Sequence, residues 1–158
     1  MKEITLTQGK VAMVDGGDFE YLNQFKWYAR KNGCCYYALR HLYGKYGKPI
    51  TMHFEIMGQP PKGMLQDHKD GNGLNNQKGN LRFCTVAQNQ WNSAKQKDNQ
   101  SGYKGVHLAK GRRKWTAQIM VNGEKKYLGR FHTPQEAAIA FNEAALKYHG
   151  EFARLNHV

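Results

Sequence analysis

Cysteine is scarce: the chain has three in 158 residues, Cys34, Cys35 and Cys84, and none forms a C-x-x-C unit. Three thiols cannot pair completely, so neither a disulfide scaffold nor a cysteine-built zinc site is expected, and a reducing compartment is. Acidic residues are few as well: 12 Asp and Glu stand against 24 Lys and Arg, leaving a net charge of +12 and a pI near 9.7. That excess is the electrostatic footprint of a polyanion binder. No run of 18 apolar residues occurs, and the opening MKEITLTQ has no apolar core of a signal peptide. A membrane span and export are therefore not expected, and the absence of a basic amphipathic helix argues against a membrane surface.

What is present describes a folded chain, at 40% hydrophobic and 12% aromatic residues, with a size for one domain or two small ones. Ile4 and Leu6, then Val11 and Met13, alternate around Gln8-Gly9-Lys10 and predict a hairpin. Asp18 is placed to cap a short helix carrying Phe19, Leu22 and Phe25 on one side. Aromatic-rich segments around Trp27 and from Cys35 to Leu42 predict another hairpin, and a strand is expected near Ile50 to Phe54. On or between these strands Arg30, Arg40, Lys45 and Lys48 suit either phosphate contacts or solvated edges, and His41 and His53 read as packed or surface histidines.

From Asp67 the composition shifts to Asp, Asn and Gly, the residues of tight turns and of oxygen ligands. Residues 81–92 then turn helical, with Thr85 as a cap and Asn89 on an early turn. A carboxylate from Asp67 and a carboxamide oxygen from Asn89 suit Mg²⁺, which keeps several waters and leaves room for phosphate oxygens. His68 points to the opposite face of a strand from Asp67, so a local bulge or a division of labour is required, with His68 aimed at a nucleophilic water. The competing reading of the same residues is a polar turn.

Residues 92–102 hold one apolar residue, Ala94, and read as a linker. Beyond it, Gly102 to His107, Lys114 to Val121 and Lys125 to Phe131 predict three strands, the last two joined at Asn122-Gly123. Thr133-Pro134-Gln135-Glu136 is a capping box that starts a helix with an apolar stripe of Ala137, Phe141, Ala144, Ala145 and Tyr148, ended by Gly150. Residues 101–158 carry 10 Lys and Arg against 4 Asp and Glu, so half of the net positive charge lies there.

The pattern DH-x₁₁-N-x₈-N, with Gly71-Asn72-Gly73-Leu74-Asn75-Asn76 and Asn80-Leu81-Arg82 in place, resembles the HNH endonucleases, in particular the phage and intron-associated homing type. The segment Met52 to Gly58 also looks like the lead-in to that motif. The resemblance implies a ββα-metal finger at about residues 64–92 and hydrolysis of DNA phosphodiesters with one divalent ion, Mg²⁺ or else Mn²⁺. It further implies Asp67 and Asn89 as metal ligands, His68 as general base, and Asn80 as the residue that orients the base and braces the loop. Gln66, Lys69 and Asn75 depart from residues common in the family without removing a ligand or the base.

The C-terminal segment is similar to the Apetala-two/ethylene-response-factor DNA-binding domain, on Gly102 to Val106, Trp115 to Ile119, Tyr127 to Phe131, Glu136-Ala137-Ala138 and Ala153-Arg154-Leu155-Asn156. The family's contact positions fall on Lys104, His107, Gln118, Met120, Lys125 and Tyr127, with Arg112, Arg113 and Lys114 in a basic loop near the DNA backbone. Strand alternation independently turns Trp115, Ala117 and Ile119 to the helix and Thr116, Gln118 and Met120 to the open side.

The expected chain is thus α+β: a β-rich nuclease domain over 1–92 with its ββα-metal finger, a linker over 93–101, and a three-stranded antiparallel sheet packed on one helix over 102–158. A nicking, site-preferring endonuclease of a phage or mobile element is expected, acting on double-stranded DNA in the cytoplasm of a bacterial or infected host cell, with no membrane and no obligate protein partner. A non-cleaving, sequence-specific DNA-binding regulator or an inactivated nuclease is the alternative.

Overall fold

Backbone pairing at the start of the chain follows the alternation of its apolar residues. Strands β1 (Lys2–Thr5) and β2 (Val11–Val14) form an antiparallel hairpin, Lys2 opposite Val14 and Thr5 opposite Val11. The computed structural model describes residues 1–33, 35–43, 47–108 and 113–158. These fall into two compact units, Met1–Val86 and Ala87–Val158, so the division comes earlier in the chain than the linker read from composition.

In the first unit, helix α1 (Gly16–Leu22) follows the hairpin. Asp15 rather than Asp18 stands at its N-cap, and the Asp15 carboxylate accepts from the Lys78 backbone and the Gln77 carboxamide instead of from the helix. A second sheet orders β3 (Tyr28–Asn32), β4 (Cys35–His41) and β5 (Pro49–Thr51). The expected strand at Ile50 to Phe54 ends at Thr51, and helix α2 (Met52–Met57) begins. A helical turn puts Met52 and Ile56, four positions apart, against the same core of Ile4, Val14, Leu22 and Trp27. It also carries Glu55 to Arg40, whose guanidinium is not a phosphate contact or a solvated edge but one half of a partly buried ion pair.

Strands β6 (Leu65–His68) and β7 (Leu81–Cys84) make a separate two-stranded ribbon, with Asp67 opposite Arg82 and His68 opposite Leu81. Helix α3 (Val86–Asn92) follows directly.

The second unit is built on a three-stranded antiparallel sheet in the order β10 (Glu124–Phe131), β9 (Trp115–Val121), β8 (Val106–Leu108). Asn122 and Gly123 both have positive φ, the turn their residue types favour. The expected first strand is shorter, because residues 99–105 form a knot of side-chain hydrogen bonds. Asn99 donates to the Tyr103 and Val106 carbonyls, and the Ser101 hydroxyl lies against the same two oxygens. Gly105 must be glycine, since at φ 75° a Cβ would run into the Phe141 ring.

Helix α4 (Pro134–His149) starts on the predicted capping box, with Glu136 N–H donating to the Thr133 hydroxyl and the Glu136 carboxylate accepting from the Thr133 N–H. It buries Ala137 and Ala138 against Val106 and Ala117, and Phe141, Ala144 and Ala145 against Ile119. Among the described residues no helix is long and apolar enough to cross a membrane.

Candidate active site and nucleic-acid interface

The Asn/Gly-rich loop after β6 is held by side chains acting where a sheet would use backbone. Asp70 accepts from the Asn72 N–H (2.8 Å) and from the carboxamides of Asn75 (2.8 Å) and Asn80 (3.0 Å). Burial raises the Asp70 pKa, but those three hydrogen bonds outweigh it and hold the carboxyl below its ordinary value. Asn80 also accepts from the Asp70 N–H and donates to the Asn75 carbonyl. The loop is fastened to β2 by the Met13 N–H on the Leu74 carbonyl and the Asn76 N–H on the Met13 carbonyl. At Gly73 the backbone passes so close to Tyr36 and Tyr37 that a Cβ would collide with both.

Asp67 and His68 are both buried, at 8% and 6% exposure. Adjacent residues of a strand face opposite ways, and each here has its own surroundings. The Asp67 Oδ2 takes the Arg82 Nε (3.0 Å) and Nη2 (2.9 Å) from the facing position on β7. The His68 ring meets Asn76, whose Oδ1 lies 3.3 Å from Nε2, and is flanked by the rings of His53 and Tyr37 at 5.0 and 5.9 Å. A carbonyl-type oxygen at Nε2 makes that nitrogen the donor in the neutral ring, which leaves Nδ1 as the basic atom. Burial lowers the His68 pKa, against the opposing pull of Asn76, Asp70 and Asp67, so the ring is neutral at pH 7.

The sequence pointed to Asn80 as the residue that orients the base, but the Asn80 carboxamide is engaged by Asp70 and Asn75, and it is Asn76 that touches His68. Asn76 is fully buried, and only the fold reveals which asparagine of the loop turns inward. Asn89 lies exposed on α3 and is grouped with the second unit, whereas Asp67 belongs to the first. Among the described residues no cluster of three His, Cys, Asp or Glu suited to a metal is found. Carboxylate and carboxamide oxygens are the donor types that a hard divalent ion retaining water takes, and the Asp67 carboxylate is held by Arg82.

No family model matches the chain, and no solved structure matches it. Curated relatives do. Protein 3.8 of Escherichia phage T7 is 32% identical over 120 residues, spanning 73% of this chain and 98% of that protein. An uncharacterized HNH endonuclease of Acanthamoeba polyphaga mimivirus is 30% identical over 152 residues, spanning 96% of this chain and 77% of that protein. The chain belongs to the HNH endonuclease family.

In this HNH family member the residues singled out for DNA contact divide into three groups. His107, Gln118, Met120, Lys125 and Tyr127 all lie on the face of the C-terminal sheet away from α4, where Gln118 pairs with Tyr127 and Met120 with Lys125. Arg113 and Lys114 are exposed just before β9, and Arg112 lies outside the described residues.

Lys104 is different. Its ammonium donates to the carbonyls of Gln90 (3.4 Å), Trp91 (2.5 Å) and Ser93 (2.7 Å), so it caps the C-terminal end of α3 instead of standing open to phosphate. Burial pulls its pKa down to about 8, and it still carries its charge at neutral pH. The Trp91 ring stacks on His149 at 4.4 Å, which fastens the same helix end to α4. Lys104→Met is expected to destabilise the α3 C-terminus by about 1–2 kcal/mol, read as faster amide exchange over residues 88–93.

Arg130 was not singled out by sequence. A bulge between Tyr127 and Gly129 shifts the alternation of β10, so that Arg130 pairs with Thr116 and joins His107 in one row across the open face. The Gly129 in its motif was the available signal, because glycine inside a strand often marks a bulge.

Proposed function

We propose that this chain is a divalent-metal-dependent, site-preferring DNA endonuclease of the HNH homing type from a phage or mobile element. The observation that carries the reading is the buried imidazole of His68, hydrogen-bonded to Asn76, in a chain of this family. Asp67 and Asn89 would hold the ion, which when bound supplies positive charge for the phosphate and the leaving oxygen. Arg82 fixes the Asp67 carboxylate through Oδ2. His68 takes a proton from the water that attacks phosphorus, while Asn76 holds the ring in the required tautomer and Asn80 keeps the loop beneath it in shape. A phosphorus–oxygen bond forms to the water oxygen and the bond to the leaving sugar oxygen breaks. One such centre per chain produces a nick.

The second unit, as an Apetala-two/ethylene-response-factor-like sheet, would lay its open face in the major groove. His107 and Gln118 would reach base edges, Met120 and Tyr127 would add apolar contact, and Lys125, Arg113 and Lys114 would contact phosphates. Arg130 joins this set. Arg130→Ala is expected to weaken duplex binding and, if its contact is to phosphate, to reduce the salt dependence of log Kd by about one charge. Unchanged affinity and slope would remove it from the interface.

The test of the whole reading is incubation of the full chain with supercoiled plasmid and with candidate target DNA. Nicked product should form with Mg²⁺ or Mn²⁺, vanish with EDTA, and vanish in Asp67→Ala. Tight, salt-sensitive binding with no cleavage under any divalent ion would instead identify a DNA-binding regulator.

A further inference from the structure

His53 lies outside the D-H-N-N pattern, on the first turn of α2, yet its ring packs directly against that of His68. Three observations describe its setting. The two imidazoles meet edge to face, with centroids 5.0 Å apart and planes at 89°. Tyr37 touches both rings, at 5.9 Å from each. The Thr51 hydroxyl lies 3.0 Å from the His53 Nε2 and so fixes the ring about its Cβ–Cγ axis.

What remains is the other nitrogen. His53 Nδ1 is buried and finds no hydrogen-bond partner among the described residues. A phenyl ring would fill the same place without burying an unpaired polar atom, so packing alone does not account for an imidazole here. Burial holds its pKa at about 4, so the ring is neutral at working pH and does not set a second cation beside the base.

We propose that His53 is a positioning residue for His68, its ring fixing the base in the hydrogen bond to Asn76 and its Nδ1 reserved for a water that enters this pocket with the DNA. The proposal rests on the nuclease reading of His68, and it acts through that residue without contact to the scissile phosphate.

Three variants of the full chain test it: His53→Phe keeps the ring and deletes both nitrogens, His53→Asn returns an amide near Nδ1, and Thr51→Val removes the hydroxyl that aims the ring. Single-turnover cleavage of a labelled duplex by His53→Phe should fall by roughly 10–100-fold with unchanged duplex Kd, His53→Asn should recover part of the loss, and Thr51→Val should fall between.

The second readout is the proton–nitrogen correlation spectrum of the His68 ring. It should show one Nε2–H tautomer in the native chain and a mixture in His53→Phe. A native rate with an unaltered His68 spectrum in His53→Phe and Thr51→Val overturns the proposal and leaves His53 as packing. If the native chain does not cleave DNA, the nuclease reading fails, and the His68 spectrum still decides whether His53 positions that ring. If His53→Phe does not fold, Thr51→Val decides by the same two measurements.

Discussion

His68→Ala is expected to reduce single-turnover DNA cleavage by about 10²–10⁴-fold, the range for removing a positioned general base, with duplex affinity essentially unchanged. The affinity should hold because the residues read as DNA contacts lie in the second unit, and His68 is at the end of β6 in the first. Among the described residues the groups nearest His68 are poorly placed to take over the proton. His53 is the adjacent imidazole, but its Nδ1 is buried and its Nε2 is held by Thr51. Asp67 is paired with Arg82 on the other face of the strand. The substitution also opens a gap between Tyr37, His53 and Asn76, into which added imidazole can diffuse and restore part of the rate. That recovery distinguishes a lost base from a collapsed loop. Cleavage by His68→Ala at the native rate would transfer the proton to another group and undo the assignment of every residue argued from it.

How far the chain could be read depended on whether a feature is local. The capping box at Thr133 to Glu136, the Asn122-Gly123 turn and the alternation of Trp115, Ala117 and Ile119 are contacts within a few residues, and each lies where the sequence placed it. The Ile50 to Phe54 run failed because its β-branched and aromatic residues favour a strand while its tertiary partners favour a helix. Met52 is wholly buried in the first core, and Glu55 must meet Arg40 fifteen residues earlier.

The motif spacing picks out Asp67 and His68, which lie together on β6. It could not show that Asn76 turns inward to the ring, because that depends on the Met13 hydrogen bonds which pull the loop onto β2. Lys104 was misjudged for a related reason. A lysine in a basic segment reads as a phosphate contact until the carbonyls of α3 are seen around it. Arg130 was hidden by a single extra residue in β10 that reverses every side chain after it.

Glu55→Ala is expected to destabilise the first unit by about 1–3 kcal/mol, because it leaves a partly buried guanidinium without its carboxylate. Arg40 Nη2 reaches both Glu55 oxygens at 2.9 Å and Nε reaches one at 3.2 Å, with the two side chains 13% and 11% exposed. The guanidinium also lies 4.0 Å from the Phe25 ring centroid, so it is sandwiched between an aromatic face and a carboxylate. Tyr21 donates a further hydrogen bond to Glu55 (2.8 Å), and that hydroxyl loses its acceptor too.

Removing both charges should cost far less than removing one. Arg40→Met with Glu55→Leu leaves no unpaired ion in the core and exchanges a desolvated pair for apolar contact with Phe25 and Trp27. The measurement is amide exchange at β4 and α2 together with the urea midpoint of the full chain, for both single variants and the double. A single-variant loss below about 1 kcal/mol would mean that water reaches Arg40 in solution, since only solvation could replace the lost carboxylate. A double variant as unstable as Glu55→Ala would mean instead that the pair fixes where α2 begins. The turn from Thr51 into Met52 would then depend on charge, and the ring of His53 beside it would be displaced along with the helix.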